Sequence, residues 1–423
     1  MSVTMELDRM KVLWLCNCPL RDTDGGGTGT WLDAVARGLL NSNSVELGVI
    51  ASGSNAQFTR CDYRQVKQWL LPARVRLNRD GLPPDSLVRA ILAAVEEFSP
   101  DLVQIWGTEA CWGLLSARGL LPCPTLLEMQ GLKGQIAKVF FGGLTLSEQF
   151  HCIGIKELLK RRTMYSDRRD FIRWSRYEEE IIRGNRFVDV QTPWLAAHVK
   201  AVNPAARLFH IDFPLRQPFY DVDGWQGATR PTLFCTAPYS SPFKGLHVAI
   251  RALHLLRRRV PDACLRIAGS HQRAGLRQDG YIRWINRMIH ELDLVNAIEW
   301  LGPLNAEQIV VELKNAAAVV IPTFIEGYGV ALAEAMMVAT PTVVSYAGGA
   351  GCLGKDEESC LFFPPGDEAM CAYQLERVLT DEALALRLSR ESRKIAVLRN
   401  DRQRIVGRQL KIYRQVVETS QHR

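Results

Sequence analysis

Short apolar runs of four to six residues alternate with amphipathic stretches along nearly the whole chain, and this rhythm limits what it can fold into. Residues 11–16 (KVLWLC), 45–50, 102–105, 125–129 and 187–190 read as strands. Helical stretches follow at 31–40 and 193–202. A run that is apolar throughout, not at every second position, marks a strand covered on both faces. A buried parallel sheet with crossover helices meets that demand. The rhythm breaks over 212–231, DFPLRQPFYDVDGWQGATRP, whose prolines, glycines and aromatics read as a linker. It then restarts, with strands at 232–236, 263–268, 298–301, 316–321 and 342–345 and an amphipathic helix at 245–258. The last roughly fifty residues read as helical and end in 404–419. The expectation is an α/β chain of two doubly wound halves, 1–212 and 213–405, with a terminal helix at 406–423 packing back on the first half. Ligands of such sheets bind at the carboxyl ends of the strands, which places a site in the cleft between the halves.

Composition narrows the class. A chain of 423 residues is too long for one small core. With 47% hydrophobic and 23% charged residues it has the make-up of a soluble globular protein. No apolar run approaches the roughly 18 residues of a membrane helix. The N-terminus, MSVTMELDRMKVLWLC, lacks a secretion pattern, so a cytosolic location is expected. Eleven cysteines form no CxxC pair and stand mostly in apolar segments, as small hydrophobes and not as a disulfide framework. The net charge of +7 is uneven: between Gly131 and Arg176 ten Lys/Arg face four Asp/Glu, an excess of six. Val139, Phe140, Phe141, Leu144, Phe171 and Trp174 are interleaved there. Two readings stand: a solvated helical face, or a surface that meets an anionic or lipid-linked partner. No nucleic-acid-binding motif accompanies the window.

Chemistry enters at residues 324–336, FIEGYGVALAEAM. Glu326 and Glu334 are eight positions apart, with a glycine-bracketed loop between them opening into a helix. Eight helical residues would rise about 12 Å. Even with Glu326 on a loop the pair is expected near 10 Å, beyond the roughly 5–9.5 Å of acid–base pairs in sugar hydrolysis. Two carboxylates so placed can instead grip two ends of one ligand, each accepting hydrogen bonds from paired hydroxyls. Gly327 and Gly329 let backbone N–H groups come close, and the helix starting near Val330 points its positive end at a phosphate. Diol, phosphate, diol describes a nucleotide sugar. The spacing by itself fits equally well a solvent-facing glutamate pair.

Further motifs make the reading specific. The chain resembles the retaining glycosyltransferases of family 4, whose EGFGLxxLEAM signature is here EGYGVALAEAM. Downstream, ATPTVVSYAGGAG and CLFFPPGD are similar to the family's GxPVIAS–GG and GLLVPPGD segments. Upstream, PFKGLHVAIRALHLLRRRVPDACLRIAGS resembles its KGxDxLIxAxxxLxxxxPDxxLxIxG segment. In the first half, KVLWLCNCPLRDTDGGG and PDLVQIWGTE fit more loosely, and the likeness is weak from Gly131 to Val202. The resemblance implies the GT-B fold, two Rossmann-like domains facing a central cleft. It also implies transfer of a hexose-type sugar from a nucleotide-sugar donor to a saccharide or lipid-linked acceptor, with retention and with neither cofactor nor metal. Glu326 would hold the donor sugar hydroxyls. Gly327, Tyr328, Gly329 and Val330 would offer amides, and Glu334 would hold the ribose. Lys244 would neutralise the diphosphate leaving group. Gly26 and Gly27 would close over that diphosphate, and Gly269 would lie at the strand end beside it. A peripheral position at the inner face of the membrane goes with the second reading of the basic window.

Three positions depart from the family pattern. Its arginine five residues before the lysine is here Tyr239, and Arg273 or Arg277 could supply the missing cation. Its frequent histidine is here Gln130, which can hydrogen-bond a sugar hydroxyl but cannot take a proton. Its GGxxE glutamate is here Cys352. Alternatives are a weak or inactive glycan- or nucleotide-binding scaffold and a sugar-nucleotide epimerase of the same fold. The triplets Asp22-Thr23-Asp24 and Asp221-Val222-Asp223 match a metal-binding Asp-x-Asp, a pattern expected about once by chance in this length. His247 and His254, seven apart, are read as marking a helix surface and not a metal site.

Overall fold

The computed structural model describes residues 9–21, 30–236, 241–269 and 278–421. Two sheets organise them. The first holds β1 (Met10–Cys16), β2 (Val45–Ser52), β3 (Thr59–Tyr63), β4 (Val66–Leu71), β5 (Leu102–Trp106), β6 (Thr125–Glu128), β7 (Phe187–Asp189) and β8 (Arg207–Phe209). Its order is β3-β4-β2-β1-β5-β6-β7-β8. The second holds β9 (Thr232–Thr236), β10 (Cys264–Ala268), β11 (Ile298–Gly302), β12 (Ala318–Ile321), β13 (Thr342–Ser345) and β14 (Leu361–Phe363), in the order β11-β10-β9-β12-β13-β14. All pairings of the second sheet are parallel. In the first only β3–β4 is antiparallel. This edge hairpin was not read from the sequence, because β3 is largely exposed and lacks the apolar run that betrays a buried strand. The three-residue strands β8 and β14 are too short to give a periodic signal.

Each sheet buries one face in a core of its own. Leu13, Ile50, Val103 and Leu127 with their neighbours cover one face of the first sheet. Leu233, Leu265, Val320 and Val343 cover one face of the second. A third cluster runs across both halves, from Trp14 and Trp106 through Phe213 and Tyr328 to Leu332 and Val344. The 212–231 connector lies within this third cluster and is not an exposed linker. Phe213, Leu215, Phe219 and Val222 are buried, and Trp225 Nε1 donates to the Ala316 carbonyl at 2.7 Å. The helix Arg402–Gln421 lies against the first sheet, where Trp14 Nε1 donates to Tyr413 Oη at 3.2 Å and Gln409 Nε2 to Gln104 Oε1 at 3.2 Å. Six of the eleven cysteines are buried.

Residues 140–157 of the first half reach over to the second. Phe140 packs on Phe243 with ring centroids 5.8 Å apart. His247 Nε2 lies 2.9 Å from the Gly142 carbonyl. Glu148 pairs with Arg251, and Glu157 Oε1 accepts from the Gly280 N–H at 3.1 Å. His247 is therefore no surface marker. It is buried between Gly142 and the Tyr281 hydroxyl (2.9 Å) and stacks on Phe324, and burial pushes its imidazole down to about 4. Phe140, Phe141, Phe171 and Trp174, the aromatics read in the basic window, are buried or half-buried. Phe140 and Leu144 are buried, and Phe140–Phe171 and Phe141–Tyr165 form edge-on or tilted ring pairs at 5.3 and 5.1 Å. A different set of apolar residues faces outward there: Leu146 and Phe150 on one short helix, Ile155, Leu158 and Leu159 on the next. Among the described residues no helix is long and apolar enough to cross a membrane.

Candidate functional site

The carboxyl ends of both sheets open on a cleft of about 510 Å³ lined from the two halves. On the second side it is built around β12. The chain leaves that strand at Pro322 and turns through 323–329, then enters the helix Val330–Val338 with Gly329 left-handed at its N-cap (φ 103°). Thr323 Oγ1 donates to the Ile325 carbonyl at 2.9 Å, and Ser345 donates to the Thr323 carbonyl, so the turn is held from inside. The glycines after β13 are explained by contact. The Gly349 N–H donates to the Glu326 carbonyl at 2.7 Å, and a Cβ on Gly349 would stand 1.9 Å from the Gly327 oxygen.

Lys244 closes a 3₁₀ turn, Pro242–Lys244, that is pinned to the same loop. The Phe324 N–H donates to the Phe243 carbonyl at 2.8 Å. Gly245 has φ 74°, and a Cβ there would meet the Pro322 oxygen at 1.8 Å, so only glycine fits without a shift. The result brings Lys244 Nζ to 2.7 Å from Glu326 Oε1, both side chains about three-quarters buried. Glu334 sits on the helix and is buried. Its Oε1 accepts from Arg216 Nη2 at 2.7 Å and from Nε at 3.2 Å. Burial pushes the Glu334 carboxyl up, against the guanidinium. The two glutamates thus carry separate cation partners.

The other named residues fall into place around this frame. Gly327, Gly329, Val330, Gly269 and Gln130 line the cleft. A Cβ on Gly327 would stand 2.0 Å from the Gln130 carbonyl oxygen, so the two halves touch here backbone to backbone. Thr192 Oγ1 reinforces the contact, donating to the Gly327 carbonyl at 3.1 Å. The Tyr328 side chain is turned into the core, 5.1 Å ring to ring from Phe213, and its hydroxyl accepts from Asn400 Nδ2 at 3.1 Å. Burial pushes its hydroxyl up to about 12. Cys352 is exposed at the end of the turn Gly348–Cys352. Gly26, Gly27, Tyr239, Arg273, Arg277 and the Asp22-Thr23-Asp24 triplet lie outside the described residues. Asp221 and Asp223 do not line the cleft. Among the described residues no group of three or more His, Cys, Asp or Glu is placed to hold a metal ion.

Sequence reading missed Arg216, Glu109, Trp31 and Trp194, all of which line the cleft. Arg216 stands in the connector with no local pattern. The tryptophans stand in stretches read only as helices. Glu109 follows a strand end, where a loop carboxylate is a usable signal.

Residues 227–395 match the family described as glycosyl transferases group 1. A segment of 150 residues is 33% identical to the glycogen synthase of Mycobacterium tuberculosis, covering 36% of this chain and 34% of that protein. A segment of 142 residues is 28% identical to the D-inositol 3-phosphate glycosyltransferase of Corynebacterium diphtheriae, covering 33% and 32%. The matched part thus spans about a third of the length of these curated relatives. Over nearly the whole chain the structure is similar to sucrose-phosphate synthase from Thermosynechococcus elongatus (TM-score 0.72, 19% identity, 97% and 100% covered). It is also similar to Anabaena HepE in complex with UDP and glucose (TM-score 0.67, 16% identity, 98% and 100% covered). The fold is GT-B.

Proposed function

From the match of residues 227–395 to glycosyl transferases group 1, we propose that the whole chain is a metal-independent, retaining glycosyltransferase. It moves a hexose-type sugar from a nucleotide-sugar donor to a saccharide or lipid-linked acceptor. The observation that carries this reading is the Lys244–Glu326 pair at 2.7 Å on the loop of the motif whose helix bears Glu334. Glu326 accepts from the donor sugar hydroxyls and Glu334 from the ribose, while Lys244 and the N–H groups at the start of the helix face the diphosphate between them. As the bond from the anomeric carbon to the diphosphate oxygen breaks, charge gathers on that oxygen. A cation already in place stabilises it without reorganisation. The acceptor oxygen bonds to the same carbon, and its proton leaves on the departing phosphate. Gln130, which cannot take that proton, then needs only to orient a hydroxyl. Closure of the two halves keeps water from the donor.

Lys244→Ala and Glu326→Ala test this, with nucleoside diphosphates and their sugars first screened by thermal shift. Turnover is expected to fall by on the order of 10²–10³ in each, as for other lost charge-stabilising groups. Glu334→Ala weakens nucleotide binding instead. Full activity in all three variants rules the assignment out.

The outward apolar set favours a place for this reaction at the inner face of a membrane. Leu159 is 80% exposed and Leu146 69%, and Lys160, Arg161 and Arg162 follow directly. Apolar side chains beside cations suit an anionic bilayer surface carrying a lipid-linked acceptor.

A further inference from the structure

Across the cleft from Lys244 and Glu326 stands one carboxylate that the donor-binding reading does not use. Glu109 follows Gly107 and Thr108 at the carboxyl end of β5 and lines the cleft with Gln130. Its Oε1 accepts from the Gly131 N–H at 2.7 Å. Its Oε2 is buried and has no hydrogen-bond partner among the described residues. Burying a carboxylate oxygen without a donor costs free energy, and such an atom calls for a donor from elsewhere. Burial pushes the carboxyl up, opposed by the Gly131 N–H, by the N–H groups of Glu109 itself and of Thr108, and by Lys133.

The surroundings hold Glu109 in place. Lys133 Nζ donates to its backbone carbonyl at 2.6 Å and lies 4.7 Å over the Trp174 ring. Trp174 Nε1 donates to the Thr108 carbonyl at 2.8 Å, and Thr108 Oγ1 to Glu178 Oε2 at 3.2 Å. Glu178 also accepts from the Lys133 and Gly134 N–H groups at 2.8 and 3.0 Å, so both loops are braced by the helix Met164–Gly184 that carries it. Gly107 makes the space. It is left-handed (φ 89°), and a Cβ there would stand 2.0 Å from Glu109 Oε2 and 3.2 Å from Gln130 Oε1. Two side-chain oxygens therefore converge over one bare backbone position, on the side of the cleft opposite the donor grip.

Building on the glycosyl-transfer reading, we propose that Glu109 positions the acceptor. Its Oε2 accepts a hydrogen bond from a hydroxyl beside the one being glycosylated, and Gln130 takes a neighbouring one. The acceptor is thus a sugar or polyol with adjacent hydroxyls. Glu109 takes no proton from the reacting oxygen. Its part is orientation and selection, since a buried acceptor left unpaired penalises any ligand lacking that hydroxyl.

The test uses the full chain saturated with whichever of UDP, ADP or GDP raises its melting temperature, and D-glucose as the polyol probe. Wild type, Glu109→Gln, Glu109→Ala and Glu326→Ala are titrated with glucose by calorimetry, and the nucleotide shift of each variant reports that it is folded. Glucose affinity is expected to drop about tenfold or more in both Glu109 variants. Glu109→Gln keeps an oxygen for the Gly131 N–H, so a bracing role alone predicts wild-type affinity in that variant, which would overturn the proposal. Absence of saturable glucose binding to the nucleotide-loaded wild type would overturn it too. So would a loss confined to Glu326→Ala, which would put the sugar on the donor side. If no nucleotide binds the wild type, the glycosyl-transfer reading fails first, and this proposal with it.

Discussion

Arg216 and Glu334, 118 residues apart in the chain, meet at 2.7 Å in the lining of the cleft, both nearly buried. The arginine comes from the connector between the halves and the glutamate from the motif helix. The nucleotide end of the site is therefore built on a buried ion pair. Removing one member leaves a desolvated charge, whereas removing both does not. Arg216→Met is expected to cost on the order of 3 kcal/mol in chemical denaturation. The double variant Arg216→Met/Glu334→Gln should lose less than the two single losses combined. Additive losses would mean that the pair is not coupled.

Two glycines should respond to alanine with opposite sign. At Gly327 a Cβ would stand 2.0 Å from the Gln130 carbonyl oxygen, so Gly327→Ala forces the halves apart. A stability loss of about 1–3 kcal/mol is expected, with lower turnover. Gly407 lies inside the helix Arg402–Gln421 with nothing among the described residues within 4 Å of its would-be Cβ. Gly407→Ala should gain about 0.5–1 kcal/mol from the unfolded state's lost freedom. Melting curves of the two variants decide it, and equal shifts would contradict the contact argument.

Stability should fall as pH rises from about 6.5 to 8. Burial holds the Glu178 carboxyl at about 7, against an ordinary 4.5. Burial also raises the cross-strand pair Glu128 and Asp189, and at Glu128 the Asp189 charge adds to it. Such groups bind protons in the folded chain that the unfolded chain has released. Their contribution is full below the unfolded value and is lost as pH passes the folded one. His210, raised by Asp212, acts in the same direction. His247, pushed down to about 4, acts oppositely but only below its ordinary 6.5, outside this window. Denaturant midpoints across the range should decline in the wild type and decline less in Glu178→Gln. An identical slope in both would remove Glu178 from the account.

The outward leucines should govern membrane binding. Wild-type protein is expected to sediment with phosphatidylglycerol vesicles, less so as salt rises. Leu158→Ser with Leu159→Ser removes two exposed side chains, each worth about 1.5–3 kcal/mol when buried in an apolar phase, so binding should drop well over tenfold. Neutralising Lys160, Arg161 and Arg162 should instead flatten the salt dependence. Vesicle binding that ignores both changes would leave the basic window as a solvated face.

The sequence by itself determined the layered α/β fold and the donor-side motif, because both are written locally. Burial of a strand on two faces forces a continuous apolar run, and a carbonyl oxygen standing where a Cβ would go forces glycine at 245, 327 and 349. Those signals need no knowledge of distant partners. Tertiary structure alone decided that Arg216 closes on Glu334, that Glu109 lines the cleft with its carboxyl held by the Gly131 N–H, and that His247 is buried beneath Gly142. It also turned Phe140 and Leu144 inward and left Leu158 and Leu159 outside. Each of these depends on contacts between segments tens to more than a hundred residues apart, or on which face of a short helix is covered. Local periodicity carries no information about either.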